Sequence, residues 1–176
     1  MSHFHQVALP HLPAVYRLAR QLAGRDRADD LVQETFLKAW EHFDRFEPGS
    51  NCRAWLCRIL HNTWVSQWRK TRLELPIGDT AAWEADATYD WERERLGAAL
   101  SADMQWALEQ LPETHRWAVL LADVEDFTYQ EIAATLECPI GTVMSRISRG
   151  RRMLARLLTE RRAAVVPPLR IVSSER

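Results

Sequence analysis

Residues 140–156 read IGTVMSRISRGRRMLAR, and this stretch decides the fold. Wound as a helix, it places Val143, Ile147, Gly150, Leu154 and the following Leu157 along one stripe, at alternating steps of four and three. Thr142, Ser145, Arg146, Arg149 and Arg156 fall on another face. The first stripe can pack on a small helical body. The second presents hydroxyls and planar guanidinium forks, which match phosphate oxygens and guanine edges.

An arginine-rich amphipathic helix standing alone is more often a solvated face than a binding one. The residues before it change that balance. Thr128-Tyr129-Gln130-Glu131 has capping-box spacing, with Thr128 as N-cap and Glu131 reaching back; Phe127 and Ile132 stand where a hydrophobic staple closes. A short helix follows with Ile132, Ala133 and Leu136 inward, and Glu137-Cys138-Pro139 breaks it. Pro139, having no N–H to lose, suits the first position of the next helix. Two helices across a three-residue turn, the second basic, have the form of a DNA-binding helix-turn-helix. Upstream, Pro112 opens a further helix with Trp117, Leu120, Leu121 and Val124 on one side.

The chain of 176 residues has a formal net charge of −1, so its total charge does not announce a nucleic-acid partner. The distribution does. Segment 53–72 carries Arg53, Arg58, Arg69, Lys70 and Arg72 and no acid, and segment 144–162 carries seven arginines against Glu160 alone. Between them, segment 74–94 holds seven acids against Arg93. Two basic lobes thus flank an acidic connector. Cys52, Cys57 and Cys138 are an odd number without a Cys-x-x-Cys pair, which predicts reduced thiols and neither zinc site nor disulfide. His3, His5 and His11 have no further ligands nearby and predict a mobile N-terminus, not a metal site. There is no apolar run of membrane length and no signal peptide, so a soluble, cytoplasmic protein without membrane insertion is expected.

Helical periodicity recurs along the chain and no segment alternates as a strand, which predicts an all-α protein of two small helical domains joined by an acidic linker. The expected divisions are a first lobe over 1–74, a linker over 75–100, a second lobe over 101–162 and a flexible tail over 163–176. In the first lobe, helices are predicted over 11–23, 27–46 and 53–70, with a loop at Glu47-Pro48-Gly49-Ser50-Asn51. The second helix has Ala28, Val32, Phe36, Ala39, Trp40 and Phe43 as its apolar set. The third has Leu56, Ile59, Leu60 and Thr63 inward, while Trp55, Arg58, Asn62, Val65 and Arg69 share another face beside Trp64 and Trp68. Tryptophans at helical spacing are more often core than ligand-binding. Interleaved with cations and amides on an acid-free face, they also suit stacked bases and phosphates, and both readings stand.

Together the lobes resemble bacterial sigma factors of the extracytoplasmic-function type. Asp29-Asp30-Leu31-Val32-Gln33-Glu34-Thr35-Phe36-Leu37-Lys38-Ala39-Trp40 is similar to the helix by which these factors grip the β′ clamp of RNA polymerase. Asn51 to Thr63, followed by Trp64 to Lys70, resembles the segments that open and read the −10 element. Gly141 to Arg146, with Arg149, Gly150, Arg151 and Arg152, resembles the −35 recognition helix. Ala122 to Phe127 and Pro139 to Arg146 further resemble the thiol-oxidative-stress members, which a zinc-containing anti-sigma protein holds inactive. Ser66 stands where many members carry aspartate, and Cys57 where Tyr or Phe is common.

The resemblance implies a promoter-specificity subunit that is not an enzyme and needs no cofactor or metal. Its implied partners are core RNA polymerase through the β′ clamp and β flap, promoter DNA and an anti-sigma factor. It implies core-polymerase binding by Asp30, Leu31, Gln33, Glu34, Phe36, Lys38 and Trp40. It implies −10 binding by Phe46, Ser50, Asn51, Arg53, Trp55, Arg58, Asn62, Trp64, Trp68, Arg69 and Lys70. It implies −35 binding by Thr128, Tyr129, Thr142, Ser145, Arg146, Arg149, Arg151 and Arg152. The rival expectation is a stand-alone helix-turn-helix regulator, which would bind paired half-sites of duplex DNA as a dimer.

Overall fold

The computed structural model describes residues 3–74 and 102–165, so the linker expected over 75–100 and most of the expected tail lie outside the described residues. Every regular element within them is helical. The first lobe comprises α1 (His3–Ala8), a 3₁₀ turn (Leu9–His11), α2 (Leu12–Ala23), α3 (Arg25–Glu41), a second 3₁₀ turn (Phe43–Arg45) and α4 (Cys52–Glu74). The second comprises α5 (Ala102–Glu109), α6 (Glu113–Asp123), α7 (Tyr129–Thr135) and α8 (Ile140–Val165).

In the first lobe α2, α3 and α4 pack on one another. Val15, Leu18, Ala19 and Leu22 form the inner stripe of α2, and Leu56, Cys57, Leu60, Thr63 and Trp64 that of α4. Gly24 separates α2 from α3 with φ at +73°, a backbone region open to glycine at little steric cost. Two expectations need correction. The N-terminus is not frayed: α1 is formed, with Phe4 and Ala8 buried. The core side of α3 is also rotated from the predicted stripe. Leu31 and Thr35 are fully buried, whereas Trp40 is 52% exposed, because α1 covers the flank where Trp40 lies: Phe4 meets its ring edge-on at 5.2 Å.

In the second lobe α6 and α8 carry most of the core, through Trp117, Val119, Leu120 and Leu121 against Val143, Ile147 and Leu154. Gly150 sits where α8 crosses α6. A Cβ there would lie 2.6 Å from Val119 Cγ2, so only a residue without one allows this approach. The capping box at α7 is complete: Glu131 N–H donates to Thr128 Oγ1 at 3.2 Å, and Thr128 N–H donates to Glu131 Oε2 at 2.8 Å. At the other end of α7, Cys138 N–H donates to the Ala133 carbonyl at 3.1 Å while Glu137 takes φ of +50°, a Schellman closure with Glu in place of the usual glycine. Pro139 acts one position earlier than expected. Its carbonyl accepts from Thr142 and Val143, so it caps α8 and does not open it.

Candidate nucleic-acid and polymerase interfaces

The outward face of α8 is built from the residues its inward stripe leaves over. Ser145, Arg149, Arg151, Arg152 and Arg156 are exposed, and Thr142 and Arg146 are half-buried. These arginines are not equivalent. Arg151 is held by both Asp123 oxygens, with Nε 3.1 Å from Oδ2. Arg156 pairs one turn on with Glu160. Arg146 reaches Cys138 Sγ at 3.5 Å. Among the described residues, Arg149 and Arg152 form no ion pair or hydrogen bond, which leaves two unspent guanidinium forks on an exposed helix face. Thr128 is spent on the cap of α7, and Tyr129 beside it is 38% exposed.

On α3, Asp30, Gln33 and Trp40 are exposed, while Glu34, Phe36 and Lys38 are half-buried. Lys38 Nζ donates to Glu34 Oε1 at 2.6 Å and to Thr63 Oγ1 at 3.2 Å, and Gln67 donates to the other Glu34 oxygen. Glu34 and Lys38 therefore brace α3 to α4. Leu31, predicted to touch the polymerase, has 0% exposure and supports the face from beneath without forming it. Beside this face runs an open apolar groove of about 350 Å³, lined among others by Phe4, Leu9, Leu12, Val32 and Phe36. Sequence periodicity missed the groove because half of it belongs to α1.

On α4 and the loop before it, Ser50, Asn51, Arg58, Asn62, Trp68 and Arg69 are exposed, and Arg53 and Trp55 half-buried. Lys70 belongs to α4, and its side chain lies outside the described residues. Two predicted DNA contacts are core residues. Phe46 is 7% exposed, stacked on Phe43 and tilted against Trp55, and Trp64 is 5% exposed beneath Arg27. Trp64 continues the Leu56–Leu60 stripe at four-residue steps, so its place in the core follows from spacing. Asn51 caps α4 by accepting from Ala54 N–H at 3.1 Å. Cys57 is fully buried, and desolvation pushes its thiol up to about 12, which keeps it protonated.

The N-terminal half of α4 also meets the second lobe. Glu125, in the loop between α6 and α7, is 1% exposed and accepts two hydrogen bonds from Arg17 of α2, both 2.9 Å, with Arg53 at 3.9 Å. The Arg53 guanidinium lies over the Phe127 ring at 4.5 Å. Arg58 Nε donates to Glu137 at 2.9 Å, and Asn51 donates to Glu131. His61 stands edge-on to Trp117 at 4.9 Å; burial pulls its pKa below 6.5 against the upward influence of Asn62, Glu113 and Glu137. Glu125, Glu137, Arg17 and His61 were not singled out as site residues by sequence reasoning.

Residues 8–74 match the family model described as Sigma-70 region 2, and residues 102–154 match that of Sigma-70, region 4. The ECF RNA polymerase sigma factor EcfG of Rhodopseudomonas palustris is 39% identical over 156 residues, covering 85% of this chain and 82% of the relative. The ECF RNA polymerase sigma-E factor of Escherichia coli is 36% identical over 138 residues, covering 71% and 70%. Among solved structures, the sigma factor RpoE in complex with the anti-sigma factor NepR from Bartonella quintana superposes with a TM-score of 0.78 at 38% identity, over 90% of this chain and 98% of that one. CnrH in complex with the cytosolic domain of CnrY gives a TM-score of 0.64 at 28% identity, over 89% and 88%.

Proposed function

We infer the function from one premise: the chain belongs to the sigma-70 family, in its extracytoplasmic-function branch, and is an alternative sigma factor. It docks on core RNA polymerase and directs initiation at promoters carrying its −35 and −10 elements. It is not itself an enzyme; the polymerase supplies the nucleotide chemistry. The observation that carries the DNA reading is the Arg149–Arg152 face, unpaired among the described residues on a helix-turn-helix whose other helix is locked by a full capping box. Arg149 and Arg146 address base edges, and Arg152 addresses phosphates, which position the helix without specifying sequence. Each good base contact is worth about 1–3 kcal/mol of discrimination. Arg151, tied to Asp123, orients α8 and contributes a weaker phosphate contact.

Around −10, the loop ending at Asn51, with Arg58, Asn62 and Trp68, offers amide, guanidinium and indole groups to an unpaired strand, where base stacking contributes about 1–3 kcal/mol per base. The exposed α3 face, with Asp30, Gln33 and Trp40, is assigned to the polymerase clamp. The domains are assigned as 1–74 and 101–162, joined by the 75–100 connector and followed by the 163–176 tail. The structural likeness to a NepR complex supports an anti-sigma partner of that kind in place of a zinc-containing one. No helix among the described residues is long and apolar enough to cross a membrane, and the protein works where the polymerase does, in the cytoplasm.

Run-off transcription with purified core polymerase on a promoter library tests this reading. Specific transcripts are expected with the chain and none without it. A gel shift of duplex DNA that is equally strong without core polymerase favours the stand-alone regulator. Asp30→Ala with Gln33→Ala should abolish core capture in a pull-down while leaving helix content unchanged; intact capture removes the clamp assignment.

A further inference from the structure

We propose that the carboxylates of the second lobe mask the −10-reading end of α4, so that the free chain is self-inhibited and promoter DNA competes with its own helix-turn-helix for the same donors. The inference rests on the promoter-reading role assigned above. Three donors on the first two turns of α4 each meet a carboxylate of the other lobe: Asn51 meets Glu131, Arg53 approaches Glu125, and Arg58 meets Glu137. A carboxylate offers a guanidinium the same forked pair of acceptor oxygens that a phosphate offers. The three acids therefore stand where strand phosphates would sit.

The contact is built with buried parts, not grazing ones. Glu125 at 1% exposure is a charge taken out of water, which is tolerated when a partner holds both its oxygens, as Arg17 does. Arg17 is 108 residues away in the chain and belongs to the other lobe, so this compensation exists in the closed molecule alone. Glu137 adds a second sign. It holds a left-handed backbone that glycine would adopt with less strain, and glycine there would remove the carboxylate facing Arg58.

Geometry makes the contact exclusive with promoter engagement. Elements at −35 and −10 lie some 25 base pairs apart, ~85 Å along a duplex rising about 3.4 Å per pair. Here Asn51 of the −10 helix is hydrogen-bonded to Glu131 of the helix-turn-helix. The 26 residues of 75–100 could span at most ~90 Å if fully extended, so chain length permits the separation that DNA demands. The masking is one-sided: Arg149 and Arg152 stay exposed while Arg53 and Arg58 are engaged.

The test uses the full chain. Small-angle scattering should show Glu137→Arg, at a half-exposed position that cannot disrupt the core, with a radius of gyration raised by roughly a fifth above the compact value expected for a chain of this length. The charge swap Arg58→Glu with Glu137→Arg should restore the wild-type value. In parallel, Glu137→Gln should bind a fluorescein-labelled, random-sequence single-stranded 20-mer about five- to tenfold more tightly than Glu41→Gln, a control of equal net charge on α3; the gain corresponds to about 1 kcal/mol of released competition. An unchanged radius in Glu137→Arg, or equal DNA affinity in the two glutamine variants, overturns the proposal. Failure of wild-type run-off transcription would instead strike the sigma-factor reading, because neither scattering nor single-strand binding depends on polymerase.

Discussion

The two DNA-facing helices, α4 and α8, solve the same problem in opposite ways. On α8 the inward stripe is purely apolar and small, and the outward face keeps Arg149 and Arg152 free of partners among the described residues. On α4 the guanidinium groups of Arg53 and Arg58 already face carboxylates. A rigid helix meant for a duplex groove can stand exposed, since solvated arginines cost nothing to leave in water. A helix meant for an unpaired strand carries half-buried cations and aromatics, and such a surface is stable when something covers it. The difference shows that exposure, not charge count, separates a helix ready to bind from one that must first be released.

The largest expected effect breaks the symmetry between the two helices. Arg149→Ala should lower run-off transcription from a cognate promoter about 10- to 100-fold, the equivalent of one base contact at about 1–3 kcal/mol, with core-polymerase capture intact. Arg58→Ala should lower it less. It removes a −10 contact but also releases Glu137, so part of the loss is offset by easier opening. Equal losses for the two substitutions would mean that no competing contact exists at Arg58.

Next in size is a packing test within α8. Gly150→Ala forces a methyl to 2.6 Å from Val119 Cγ2, and Val119 is 3% exposed with little room to yield. Overpacking costs about 1–3 kcal/mol, against a gain of about 0.5–1 kcal/mol from replacing helical glycine. Urea unfolding should show a net loss of about 1–2 kcal/mol. Gly141→Ala, with nothing within 4 Å, should instead gain stability. If both substitutions stabilise, α6 and α8 do not cross as closely as described.

Much of this architecture was legible because its causes are local. The stripe Val143–Ile147–Gly150–Leu154, the capping box and the break before Pro139 are all set within a few residues, and each appears as read. The misses share a different cause. Helix α1 has six residues, too few for a helix to be stable alone or for periodicity to reveal it, and it forms through Phe4 packing on Trp40 and Phe43. Missing α1 displaced the inferred core of α3 toward Phe36 and Trp40. Trp64 was drawn to the surface by its basic neighbours, although the Leu56–Leu60–Trp64 spacing argued for the core. Glu125 is the clearest case. A loop acid beside a helix end looks solvated in sequence, and its partner 108 residues away leaves no periodic trace.

The smallest effect tests whether closure responds to protons. His61 lies half-buried against Trp117, with Glu113 and Glu137 favouring its protonation and desolvation and Arg146 opposing it; desolvation is the largest influence, and the pKa falls below 6.5. In the open molecule the ring regains water and its ordinary value. The closed form therefore binds fewer protons than the open one near pH 6, and closure weakens as pH falls. Its contribution is whole above 6.5 and is lost as pH drops through that value toward the depressed one. His11, lowered by desolvation and by Arg53, pushes in the same direction. Glu131, whose pKa its own capping bonds to Thr128 hold below 4.5, stays charged through this range and does not mask the effect. The radius of gyration should rise modestly between pH 7.5 and pH 5.5, and His61→Gln should flatten that rise to the part due to His11. An identical profile in the variant would remove His61 from the contact's energetics and leave closure to the carboxylate pairs alone.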